Sequence, residues 1–145
     1  MTTHDDHDDI PQLRRPEDMP PVTDQASLAH AWRALMGELG FASPQLWLLF
    51  LDGDRLRNLL KVEDVPLDPT DRELAGVRSL LEPVADRPRS CAFLYARPGG
   101  PGRTPGDLAW ARGLTGVFGA AGWPVHLAND VELRVAAPDD LAQAG

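Results

Sequence analysis

Between Ser90 and Asp107 the chain passes from an apolar run, Ser90 to Tyr95, through a Gly/Pro loop, Ala96 to Arg103, into Thr104-Pro105-Gly106-Asp107. The run is long enough for a buried strand and too short for a helix. Thr104 suits a helix N-cap, and Pro105 stands at the first helical position, where a missing N–H costs nothing. A strand, a tight connection and a capped helix in that order predict a layered α/β domain, because each element must bury its apolar side against another.

The flanking segments extend this pattern. Leu28, Ala31, Trp32, Leu35, Met36 and Leu39 recur at helical spacing, with Asp24 as N-cap and Gly40 placed to end the helix. Leu46 to Leu51 is a second continuous apolar run, and Asp52-Gly53 after it is a strong hairpin signal, with Arg55 to Val62 returning. Thr70-Asp71-Arg72-Glu73 has the form of a capping box, and Leu74, Val77, Leu80, Leu81 and Val84 continue one face to a stop near Pro88. After Thr104 a third helix carries Leu108, Ala111, Leu114, Val117, Phe118 and Ala121 around much of its circumference, so it packs on more than one side. Gly113, Gly116 and Gly119 each cost about 1 kcal/mol relative to Ala there, which predicts a close neighbour at the helix backbone. Pro124 to Ala128 and Val131 to Val135 are two short strands about Asn129-Asp130. The predicted order is helix, β-hairpin, helix, strand, helix, two strands.

Charge divides the chain. Of the formal net charge of −8, residues 1–24 hold −5, from seven acids against Arg14 and Arg15, which leaves −3 for the rest. Residues 1–22 lack apolar periodicity and are expected to form a disordered acidic arm, followed by one domain over 23–137 and a tail over 138–145. The chain has a single lysine, Lys61, and scattered arginines, a poor match for a phosphate backbone, so nucleic acid is not the expected partner. A single cysteine, Cys91, forms no intramolecular disulfide, the N-terminus lacks the pattern of a signal peptide, and no apolar run approaches the roughly 20 residues of a membrane span. The expectation is a cytoplasmic protein without membrane contact.

Tyr95 to Asp107 resembles the signature of the JAB/JAMM metalloprotease-like fold, and among its branches the RadC-type proteins are most similar. That family carries His-x-His-Pro-Ser-Gly, a short loop, and Ser-x-x-Asp at the start of a helix. Pro98-Gly99-Gly100 matches the Pro-Ser-Gly turn, Thr104-Pro105-Gly106-Asp107 matches Ser-x-x-Asp, and the two family histidines fall on Tyr95 and Arg97. The resemblance spans the element order from about Thr23 to Val135, and it implies a single JAB/RadC-like layered domain. In the family it implies zinc held by two His and one Asp, with an upstream Glu as general base. Arg97 has no lone pair to donate, and Tyr95 is a poor ligand near pH 7. Asp107 alone matches, so neither metal nor other cofactor is expected. An Arg97 to Asp107 ion pair is predicted to stand in the metal's place.

Other candidates have simpler roles. Glu63 is the nearest counterpart of the family's base, although a solvated loop acid is the plainer reading. Thr104 and Asp107 also make sense as a capping pair. His4-Asp5-Asp6-His7-Asp8-Asp9 suggests metal only if an arm becomes ordered; His30 has no evident partner, and His126 alternates with Val125 and Leu127 as a core or edge histidine. Cys91 lies in an apolar strand with no local base, and Gly99-Gly100-Pro101-Gly102 lacks the lysine of a phosphate loop. Trp32, Trp47, Trp110 and Trp123 are core candidates, with Trp110 and Trp123 flanking the helix after the loop and therefore also candidates for an interface.

These features predict a catalytically silent JAB/RadC-like domain that binds or scaffolds another protein through Tyr95, Arg97, Arg103, Thr104, Asp107 and Trp110, with no catalytic residues assigned. Two alternatives remain: a divergent hydrolase rebuilt near Asp107 with Thr104, Glu63 or His126, and a DNA-repair-associated RadC-type protein.

Overall fold

A computed structural model describes residues 19–81, 89–118 and 123–136. Over these residues the elements run α1 (Gln25–Met36), β1 (Gln45–Asp52), β2 (Arg55–Glu63), α2 (Asp71–Leu81), β3 (Arg89–Ala96), α3 (Pro105–Phe118), β4 (His126–Ala128) and β5 (Leu133–Val135). The five strands form one mixed sheet in the order β2-β1-β3-β4-β5, parallel between β3 and β4 and antiparallel elsewhere. The sequence of elements is the one expected from periodicity and turn signals. Among the described residues no helix is long and apolar enough to cross a membrane.

The continuous apolar run of β1 is explained by burial on both faces. Leu46, Leu48 and Phe50 pack with α2 and α3, whereas Trp47, Leu49 and Leu51 pack with α1. Successive side chains of a strand point to opposite faces, so a strand covered by helices above and below must be apolar at every position. β3 obeys the same rule: Cys91, Phe93 and Tyr95 face α2 and α3, and Ala92, Leu94 and Ala96 face the α1 side. The result is a helix, sheet, helix-pair sandwich.

Local caps set the helix ends. The Asp24 carboxylate accepts from Ser27 N at 2.8 Å while Ser27 Oγ accepts from Asp24 N at 3.0 Å, a reciprocal box at the start of α1. α1 stops at Met36, four residues before the expected Gly40. Gly37 takes φ 74°, which glycine adopts at low cost, and its N–H donates to Arg33 O at 3.0 Å. At α2, Thr70 N donates to Glu73 Oε1 at 2.7 Å, as the capping-box pattern predicted. Val84 and the predicted stop at Pro88 lie outside the described residues, as do Gly119 and Ala121 of the third helix.

The start of the ordered body differs from expectation. Met19 and Val22, assigned from the sequence to the arm, are buried in the α1-side core, and Val22 N donates to Asp54 O at the hairpin turn at 2.7 Å. Two apolar residues in a polar stretch carry no periodicity, so the sequence could not reveal that the sheet captures them. Residues 1–18, with the His4 to Asp9 run, and residues 137–145 lie outside the described region.

Of the glycines expected to have a close neighbour, Gly113 has one and Gly116 does not, and a further close approach occurs at Gly106. A Cβ on Gly113 would lie 2.7 Å from a Leu74 methyl, so α2 and α3 touch there; Gly116 has nothing within 4 Å. At Gly106 a Cβ would lie 2.2 Å from Leu67 O, a backbone atom that cannot swing aside. Trp110 Nε1 donates to Pro66 O at 2.9 Å and fastens the same β2–α2 connection over α3. Gly106→Ala is expected to lower stability by at least about 1 kcal/mol through overpacking, although alanine favours a helix. Gly76→Ala on α2, where a Cβ meets open space, is expected to raise stability by about 0.5–1 kcal/mol. Urea denaturation of the two variants checks the opposite signs.

Candidate functional site: a buried ion pair at the end of β3

The parallel pair β3 and β4, joined through α3, is the unit in which α/β proteins place sites, at the carboxyl ends of the strands where the sheet opens. Arg97 follows β3 directly, and its N–H donates to Ala128 O at the end of β4 at 3.1 Å. Asp107 sits in the first turn of α3. Both side chains are withdrawn from solvent, with Arg97 6% and Asp107 3% exposed.

The two meet in a bidentate pair. Arg97 Nε donates to Asp107 Oδ1 at 2.7 Å and Nη2 donates to Oδ2 at 3.0 Å. The remaining guanidinium donors hold the loop, with Nη1 to Pro98 O at 3.0 Å and Nη2 also to Gly102 O at 3.1 Å. Asp107 Oδ2 accepts in addition from Thr104 N at 3.0 Å, and Thr104 Oγ1 accepts from Asp107 N at 3.0 Å. The capping pair and the ion pair expected from the sequence are therefore one network. Its hydrogen bonds to the carboxylate hold the guanidinium's pKa above the ordinary arginine value against the opposing effect of burial, so Arg97 is a permanent cation.

A second layer fixes the loop from outside. Asp130 Oδ2 accepts from Gly99 N and Oδ1 from Phe41 N, each at 2.9 Å, while Asp130 N donates to Gly99 O at 3.1 Å. Glu132 Oε2 accepts from Gly102 N at 3.0 Å. Asn129 shapes the turn that carries both acids, its Oδ1 accepting from Val131 N at 2.9 Å and Glu132 N at 3.0 Å. These bonds lower the pKa values of Asp130 and Glu132. Gly99 has φ 118°, and a Cβ there would sit 2.8 Å from Arg97 Nη1, so both backbone and space require glycine. Asn129, Asp130 and Glu132 were not singled out as site residues; the only sequence signal was a turn between two short apolar runs.

Tyr95 lies beneath this network. Its ring stacks on Trp110 with centroids 5.4 Å apart and 19° between planes, and its hydroxyl has no hydrogen-bond partner among the described residues. Burial first, and the Asp107 charge second, push the phenol up to about 12. Tyr95, Arg97 and Asp107 do not together fit zinc. Tyr95 remains a neutral, buried phenol, Arg97 is a cation, and both Asp107 oxygens are committed to donors. Zinc's open coordination position has no counterpart around a guanidinium with this set of partners.

The expected contact surface is corrected by this burial. Tyr95, Arg97, Asp107 and Trp110 are all buried, because ring stacking and the ion pair draw them inward, and they offer no side chain to a partner. Arg103 is half-buried with Nη2 donating to Val135 O at 3.4 Å, and Thr104 is exposed. Gly99, Gly100, Pro101 and Gly102 form the exposed part of the loop. The other tryptophans are core or half-buried: Trp32 and Trp47 are buried, and half-buried Trp123 donates through Nε1 to Ser90 Oγ at 3.2 Å.

The residues of a rebuilt hydrolase are not assembled. Glu63 ends β2 in alternation with Lys61, whose Nζ stands over the Trp47 ring on the α1 side, and the two side chains pair at 3.3 Å. His126 pairs in register with Leu94, also on the α1 side, whereas Asp107 belongs to the α3 side. Only Thr104 and Asp107 come together. Burial pushes the Cys91 thiol up to about 12, consistent with an inert core residue, and His30 is exposed on α1. Among the described residues no group of three or more His, Cys, Asp or Glu is placed to hold a metal ion. Comparisons with protein families, curated proteins and solved structures each returned no match.

Two outcomes follow from this geometry. Arg97→Met and Asp107→Ala are each expected to cost about 3–5 kcal/mol, because each leaves a buried charge without its partner. The double variant should cost less than the sum, and chemical denaturation of all three measures the coupling. Burial also pushes His126 down to about 4. The unfolded chain then binds the extra proton between about pH 6.5 and 4, so stability is full above the unfolded pKa and falls as pH drops through that window, by about 3 kcal/mol for this group. Loss from the carboxylates with lowered pKa values begins below about pH 4, and His126→Gln should flatten the upper window alone in a pH series of unfolding curves.

Proposed function

We propose that the chain is a JAB/RadC-like domain in which the Arg97–Asp107 ion pair has replaced the metal, and that it serves as a catalytically silent protein-binding or scaffolding module. The observation that carries this reading is the closed hydrogen-bond set of Asp107, the one residue that matches the family's ligands. The strand, Gly/Pro loop and capped helix support the resemblance, and they keep the frame of a metal site while its chemistry is absent. A guanidinium with a committed carboxylate has neither an activated water nor a free base to offer.

The binding role rests on what remains outside. The loop Gly99–Gly102 is presented on a rigid base, held from within by Arg97 and from outside by Asp130 and Glu132. Rigid scaffolds that display an ordered loop are well suited to recognition, because little conformational entropy is lost on contact.

Zinc analysis of the purified full chain tests the silent reading. The natural protein is expected to hold no stoichiometric zinc after zinc loading and dialysis, and Tyr95→His with Arg97→His is expected to gain one equivalent that Asp107→Ala removes. Stoichiometric zinc in the natural protein, lost on Asp107→Ala, would overturn it.

A further inference from the structure

β2 is the edge of the sheet, bonded to β1 on one side only among the described residues. Beside it, between α2 and the sheet, opens a cleft of about 300 Å³ lined by Leu46, Val62, Val65, Val77 and Leu80, with Trp110 at its base. Leu80 is 44% exposed, an apolar side chain left uncovered at the rim. A small-molecule pocket normally offers a few free polar groups that orient its ligand. Here the carboxylate at the rim, Glu73, is already bonded to Thr70. The polar groups that remain beside the cleft are those of the β2 backbone beyond Leu59, whose own N–H donates to Asn58 Oδ1 at 3.0 Å.

Strand register shows what would enter. Leu127, Tyr95, Leu46 and Val62 are paired in succession across the sheet and form one row on the α2–α3 side; Phe93, Leu48 and Leu60 form the next. A residue paired outside Val62 would extend the first row into the cleft, and one paired outside Leu60 would extend the second. The residue between them would lie outside Lys61, on the opposite face. β2 exposes Arg55, Arg57 and Lys61 against one acid, Glu63, in a chain of net charge −8.

We propose that the β2 edge and its cleft receive an extended segment of a partner protein, added as a sixth strand, with apolar residues at alternate positions and an acid between them. Backbone bonds along the edge supply affinity, and the cleft and cations select the sequence, as in other strand-addition complexes. A second copy of β2 paired antiparallel about Leu59 would set Arg57 against Lys61 at two symmetric positions, like-charge pairs that are unfavourable across strands, while only Arg55 would meet an acid, Glu63. Residues 1–18 are acidic but contain no apolar-acid-apolar triplet. Val131-Glu132-Leu133 has that pattern, but Glu132 holds Gly102 N and Leu133 packs against the α1-side core. The edge extends the protein-binding reading to a second surface, and peptide binding here is read independently of zinc at Asp107.

Binding of the full chain to two synthetic seven-residue peptide arrays tests this. Both arrays carry Leu, Ile, Val or Phe at alternate positions, with Asp or Glu between them in one and Lys or Arg in the other. The acidic array is expected to retain the protein at least about tenfold more strongly. Gly76→Leu, which fills the cleft from a position with open space around its Cβ, should abolish that retention without loss of thermal stability, and N-methylation of alternate peptide amides should also abolish it. Lys61→Glu, at an exposed position, should reverse the charge preference even if Gly76→Leu folds poorly. Equal retention on both arrays, or acidic retention unchanged in folded Gly76→Leu, would overturn the strand-addition site. So would a concentration-dependent dimer that Gly76→Leu abolishes while neither array retains the protein, since the edge would then belong to a second copy.

Discussion

The contact on which the candidate site depends is the bidentate pair between Arg97 and Asp107. Burying two charges is costly, and the cost is offset only when each finds its full set of partners. Here the same guanidinium that neutralises Asp107 also binds two loop carbonyls, and the same carboxylate caps the backbone at Thr104. The end of β3, the loop and the first turn of α3 are thereby tied at one point. Because the parallel pairing of β3 with β4 brings Ala128 and the Asn129–Glu132 turn alongside, the outer clamps of Asp130 and Glu132 close on a loop already shaped from within. The tenability of each part rests on the others: an unpaired Arg97 would be a buried cation, and a loop without Arg97 would leave its inward carbonyls without donors.

How far this was legible varies with the range of the interaction. Apolar runs, caps and turn residues act over a few positions, so the order of elements and the Thr104–Asp107 cap could be read directly. The ion pair spans ten positions and was found because the resemblance placed an arginine where a ligand would stand beside a surviving aspartate. Asp130 reaches Gly99 across 31 positions and Glu132 reaches Gly102 across 30, and no local pattern announces such contacts. Glu63 and His126 show the complementary difficulty. Strand alternation turns each toward the α1 side, and which side holds Asp107 is fixed only by the packing of α3. The burial of Tyr95 in its strand and of Trp110 as a core residue follows the apolar pattern, whereas their stacking on each other joins two separate elements and no spacing gives it. The expected helix stop was Gly40; α1 ends earlier at Gly37, whose positive φ and N–H bond to Arg33 O close the last turn.

The two ends of the sheet now have different characters. At the carboxyl end of β3 and β4 the polar groups are paired inward, which leaves a rigid loop with little free chemistry. At the β2 edge, backbone groups, an apolar cleft and three cations face outward. In the proposed functional reading, the first gives a frame without catalysis and the second a place where another chain can join the sheet.

The central claim, that Arg97 and Asp107 form a buried and fully bonded pair on which the loop depends, is tested most directly at the Arg97 Nε proton by nitrogen-15 NMR. A buried N–H bonded to a carboxylate should give a resolved signal that exchanges with solvent far more slowly than those of exposed Arg55 and Arg57, and that disappears in Asp107→Ala. An Arg97 Nε proton exchanging as fast as those of Arg55 and Arg57 would contradict the account.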